Sequence, residues 1–96
     1  MDKSKLINEL KIAYELSSQY EGGYSDMFTD AREFSVALKE AIESLESGND
    51  SKVKDLWSWF APTTEWDDLI GEKGLELGNS IFKKIQQYIE QNKIKI

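Results

Sequence analysis

Residues 57–68 read Trp57-Ser58-Trp59-Phe60-Ala61-Pro62-Thr63-Thr64-Glu65-Trp66-Asp67-Asp68, and they contain all three tryptophans and the only proline of the chain. Proline has no N–H to donate and disfavours helical backbone at the residue before it. A helix with Val53, Leu56, Trp57 and Phe60 on one face must therefore stop at Ala61, and Asp50 or Ser51 is the expected cap at its start. Beyond the proline, Thr63 or Thr64 offers a new N-cap. Glu65, Asp67 and Asp68 within one turn complement the positive end of a helix. With Thr64 as cap, Asp67 falls at the capping-box position, where Glu or Gln is preferred. A short helix through Leu69 and Ile70 then ends near Gly71.

Outward from this break the pattern remains helical. Toward the N-terminus, residues 4–20 carry Leu6, Ile7, Leu10, Ala13, Tyr14 and Ser17 at three- and four-residue steps, with Ser4 as a possible cap and Gly22-Gly23 as the stop. Residues 29–47 place Ala31, Phe34, Leu38, Ala41, Ile42 and Leu45 on one stripe. Thr29 or Asp26 is available as cap, and Ser47-Gly48-Asn49 ends the helix. Toward the C-terminus, residues 75–92 align Ile81, Phe82, Ile85, Tyr88 and Ile89, with lysines near the far end. Gly78 costs that helix about 1 kcal/mol relative to alanine; with Gly74 it either forms an edge for close helix approach or marks a frayed start. There is no repeat and no hairpin signal between strand-like runs. The expected fold is all-α: a compact bundle of four main helices plus a short helix after Pro62, forming one domain over residues 1–96.

Composition excludes several kinds of chemistry. The chain has no cysteine and no histidine, which removes disulfides, thiolate metal sites and imidazole general bases. Carboxylates are what remains. An apolar fraction of 40% suits a packed core despite 31% charged residues. Acids interrupt the N-terminal segment, so it reads as neither signal peptide nor membrane span, and the cytoplasm is the default location. Asn49-Asp50-Ser51 matches a glycosylation sequon that has no use there.

Charge is unevenly distributed. Asp26 to Glu76 contains 13 acids and 5 bases, while the flanks contain 5 acids and 7 bases, within a total of −6. The acidic middle repels phosphate backbones and anionic lipid and steers basic proteins inward. No nucleic acid or membrane partner is expected, and a basic protein is.

The candidate partner-binding residues are Tyr24, Asp26, Asp30, Glu33, Trp59, Glu65, Trp66, Asp67 and Asp68. Trp57 shares its face with Val53, Leu56 and Phe60 and reads as core. Trp59 lies about 200° around the same helix, so it either packs under the following loop or stands as an exposed anchor. Trp66, between acids, has the same two readings. Exposed tryptophan and tyrosine commonly carry interface hot spots. The glycine-hinged segment Tyr20–Phe28 either presents two tyrosines and two acids to a partner or plugs the bundle end with Met27 and Phe28. Asp26, Asp30, Glu33, Glu40, Glu43 and Glu46 fall on related faces, as a solvated surface or as a docking surface for a basic partner. Glu65, Asp67 and Asp68 could hold a hard cation or act as an acid/base pair, but no repeated ligand spacing accompanies them. No cofactor, metal or catalytic residue is assigned. Gly71-Glu72-Lys73-Gly74 matches the bare Gly-x-x-Gly of an RNA-binding loop, in the wrong acidic and strandless setting.

Trp59-Phe60-Ala61-Pro62-Thr63-Thr64-Glu65-Trp66-Asp67-Asp68-Leu69 followed by Leu77-Gly78-Asn79 resembles a pattern found in small bacterial proteins and in immunity proteins of contact-dependent growth inhibition systems. The likeness rests on those segments and otherwise on size, acidity and helical character. It implies a non-enzymatic protein that binds one cognate toxin, usually a basic nuclease domain, and covers its active site or substrate groove. A monomer is the simplest state. The alternative class is a helical adaptor or regulatory domain that holds a helix or peptide in a groove.

Overall fold

The chain's structure, a computed structural model, describes residues 3–19, 28, 30–61 and 64–94. Among them are five helices and no strand: α1 (Lys3–Ser18), α2 (Ala31–Glu46), α3 (Val53–Phe60), α4 (Glu65–Ile70) and α5 (Leu75–Asn92). Two 3₁₀ turns, Asp50–Lys52 and Gly71–Gly74, lead into α3 and α5. This is the all-α bundle expected from the periodicity, with α4 as the short helix after Pro62.

The long helices form because their apolar residues fall on one side at helical spacing. Leu6, Leu10, Ala13 and Ser17 are the buried side of α1. Ala31, Phe34, Ser35, Leu38, Ala41, Ile42 and Leu45 are that of α2. The two buried serines are satisfied locally, Ser17 Oγ donating to the Tyr14 carbonyl at 3.1 Å and Ser35 Oγ to that of Arg32 at 2.7 Å. α1 lies along α2, and α5 closes the bundle against both α1 and α3. The α1–α5 contact is fastened where Ser80 Oγ reaches both oxygens of Glu9, at 2.9 and 3.0 Å, and Lys84 Nζ approaches Ser80 Oγ and Glu9 Oε1 at 2.9 and 3.2 Å.

Helix ends account for most departures from the sequence reading. Asp30, rather than Thr29 or Asp26, caps α2, accepting the Glu33 N–H at 2.8 Å. Thr29 and Asp26 lie outside the described residues. Gly48, at φ 88°, ends α2 in a Schellman arrangement: its N–H bonds the Leu45 carbonyl, and that of Asn49 bonds the Ser44 carbonyl. Asn49, one residue before the expected caps, then opens the next turn by accepting the Ser51 N–H at 2.9 Å.

Ala61 adopts φ −60° and ψ 147°, the extended backbone that a following proline demands. Thr64 does precede α4 but makes no side-chain cap to it, which corrects the expected capping box. Its hydroxyl instead points back to the end of α3, within reach of the carbonyls of Ser58 (2.8 Å), Trp59 (3.2 Å) and Ala61. One hydroxyl proton serves these orphan carbonyls in turn, tying the two helices at a sharp corner.

At the centre of the core stands Phe34. Its ring meets Phe28, Trp59, Phe60 and Trp66 at centroid separations of 5.3, 5.6, 6.2 and 6.0 Å. One side chain of α2 thus gathers the aromatic residues of α3 and α4, in mostly edge-to-face geometry.

Candidate functional site

The three tryptophans are distributed differently from their expected roles. Trp66 is fully buried, and Trp59 retains 5% exposure. Neither can be a free-surface anchor, so both are corrected to core residues. Trp66 lies against Gly74 and Gly78, where an added Cβ would come within 2.6 Å of Cζ2 and of Nε1 respectively. Its indole N–H donates to the Gly74 carbonyl at 2.8 Å. The two glycines therefore make a notch for this ring, and the start of α5 is a built contact rather than a frayed end. Trp59 packs edge-on against Phe28 at 5.5 Å and against Phe34, but its Nε1 has no hydrogen-bond partner.

Trp57, expected in the core, is half-buried at the outer seam of α3 and α5. It lies over Phe82 at 5.9 Å and donates its N–H to Gln86 Oε1. In an eight-residue helix the stripe Val53, Leu56, Phe60 accommodates a tryptophan at either edge. The aromatic residues of α2 draw in Trp59 on one side, and Phe82 of α5 receives Trp57 on the other.

The carboxylates divide by helix. Asp30 is half-buried in its cap role, and Glu33 is exposed beside it. Glu40, Glu43 and Glu46 continue the exposed acids of α2, against Arg32 and Lys39 as the cations of that helix. On α4, Glu65 is buried with 7% exposure, Asp67 is half-buried and Asp68 is exposed, so the three do not form a common solvated turn. Tyr24 and Asp26, and with them most of the Tyr20–Phe28 segment, lie outside the described residues; Phe28 itself is in the core, as the plug reading expects. Among the described residues, no three acidic side chains come together as a potential metal site.

Two polar features have no counterpart in the sequence reading. Tyr88 donates its hydroxyl to Asp50 Oδ1 at 2.6 Å. Burial, then the bond to Asp50 and its negative charge, push the phenol up to about 12. The second feature is a groove between α1 and α2, about 280 Å³ in volume, lined by Lys11, Tyr14, Glu15, Lys39, Ile42, Glu43 and Glu46. Tyr14 and Ile42 supply its apolar part. Lys11 Nζ bridges to Glu46 Oε2 at 3.0 Å. Glu43 and Glu46 were visible as acids of the second helix. The groove itself was not, because it depends on how far α1 and α2 stand apart at the edge of their stripes.

Fold and surface together define an acidic all-α bundle with a closed aromatic core, an acid-bearing α2 and a groove of mixed lining between α1 and α2. No helix among the described residues is long and apolar enough to cross a membrane. Comparison of the chain with protein-family models, with curated proteins and with solved structures finds no match.

Proposed function

We propose that the chain is a cytoplasmic immunity protein, without catalytic activity, that neutralises a basic toxin domain by covering its active site or its substrate groove. The observation that carries this reading is the set of exposed acids Glu33, Glu40 and Glu43 on α2, with Glu46 at its end bridged to Lys11. Like charges held along one rigid helix offer a basic surface a substitute for phosphates. They also accelerate encounter, because complementary potentials raise association rates above the roughly 10⁵–10⁶ M⁻¹s⁻¹ of unsteered proteins. Tryptophan anchoring falls to Trp57 instead of Trp59 or Trp66, since Trp57 alone of the three is only half-buried.

The test begins with the tagged chain recovered from its host through a salt series of about 0.05–0.5 M, where screening exposes electrostatic partners. A captured basic toxin domain is then expressed with and without the chain. Restored growth supports the reading, and growth arrest in both cases ends it. The double variant Glu33→Gln/Glu40→Gln should slow association and flatten its salt dependence. Asp30→Asn removes a charge while keeping a competent cap, so it separates electrostatics from helix stability.

The α1–α2 groove favours a second reading, an adaptor that holds a helix or peptide. Recovery of an ordinary cellular protein, with no growth phenotype, would select it.

A further inference from the structure

We infer that the groove between α1 and α2 anchors a cationic amphipathic helix of the partner, taking one large apolar side chain over Tyr14 and Ile42 and a lysine or arginine of the same helix face against Glu43 and Glu15. This rests on the protein-binding reading above and not on the partner's being a toxin.

Size and lining set the apolar half of the argument. A volume of about 280 Å³ lies just below the range of small-ligand pockets, roughly 300–1,000 Å³. Tyr14 is half-buried and Ile42 is 4% exposed, so the apolar surface belongs to the floor, with the charged side chains around it. Such a site suits a protruding side chain better than a flat surface.

Charge decides what accompanies that side chain. The groove is lined by three carboxylates and two ammonium groups. Lys11 is engaged with Glu46 at 3.0 Å, which leaves Lys39 against Glu15 and Glu43. An excess of one negative charge remains, on the flank of the acidic α2. An anionic occupant would be repelled by that excess charge, and a purely apolar one would leave it unbalanced. A cation three or four positions from the apolar residue on a helix sits about 5–6 Å from it, the spacing needed to serve floor and rim together.

The experiment titrates the isotope-labelled full chain with a synthetic helical peptide of leucines and lysines. The controls are the same peptide with leucine replaced by serine and with lysine replaced by glutamate. Amide shifts should concentrate at Lys11, Tyr14, Lys39, Ile42 and Glu43, and both controls should lose binding. The variant Glu15→Lys/Glu43→Lys, at two exposed positions, should weaken the parent peptide about tenfold with the spectrum of the folded chain retained. Equal binding of the serine control, shifts centred elsewhere, or an unchanged affinity of the variant would overturn the proposal. With a captured toxin domain, unaltered binding of Glu15→Lys, which lies outside the acidic set of α2, beside weakened Glu33→Gln/Glu40→Gln removes the groove and leaves the proposed function standing. Groove binding by the peptide in a chain that protects against no toxin does the reverse.

Discussion

Trp59 and Trp66 stand seven residues apart, both touch Phe34, and both are buried, yet only Trp66 has placed its N–H. Trp66 has a receptor made for it: Gly74 at the end of the 3₁₀ turn, Gly78 in the first turn of α5, and a carbonyl aimed at the indole nitrogen. Trp59 packs against the rings of Phe28 and Phe34 with its N–H unmet. Burial of an aromatic residue is therefore achieved in two ways here. One is specific to the indole, and the other accepts any large ring at the cost of an unmet donor, about 1–3 kcal/mol.

Substitution by phenylalanine turns this contrast into a measurement. Trp66→Phe leaves the Gly74 carbonyl without its indole donor and a gap in the notch, and should destabilise the fold by about 3 kcal/mol in urea unfolding. Tyr88, another ring donor but with a titratable proton, extends the comparison. Its folded pKa of about 12 exceeds the ordinary 10.0, so folding favours the neutral phenol. Its contribution is fully present below pH 10 and is lost as pH rises through 12. Tyr88→Phe should flatten the alkaline limb of the stability profile relative to the parent.

Gly78→Ala should destabilise by about 1–2 kcal/mol, since the clash with the indole outweighs the helix propensity that alanine gains. A stabilising result would show that the Trp66 notch is loose. The smallest effect belongs to Trp59→Phe, within about 1 kcal/mol of the parent, because removal of the orphan donor offsets the lost ring contacts. Equal costs at Trp59 and Trp66 would erase the distinction between them.

Where the chain breaks, the local sequence was sufficient. Pro62 dictates the extended Ala61, Gly48 and Gly71 supply the positive φ at which α2 and α4 stop, and the apolar stripes of the long helices are buried apart from half-buried Ile7, Tyr14 and Phe82. These are properties of a residue and its immediate neighbours. The interior placing of Trp59 and the outward placing of Trp57 depend on Phe34, Phe28 and Phe82, which no spacing within residues 53–60 can reveal. Thr64 misled for a related reason: its hydroxyl had acceptors behind it as well as donors ahead. Of the candidate partner-binding residues, exposed Glu33 and Asp68 keep the accessibility such a role needs. Glu65, in the first turn of α4, is buried instead.

The clasp of Glu9 by Ser80 and Lys84 joins positions 71 residues apart between Glu9 and Ser80. A ribosome adding about 5–20 residues each second needs roughly 4–14 seconds to traverse that interval. The helix that covers the other flank of α1 is therefore made seconds after α1 itself. The α1–α2 pair can assemble early, but the nascent chain shows an open apolar side to the cell until α5 emerges.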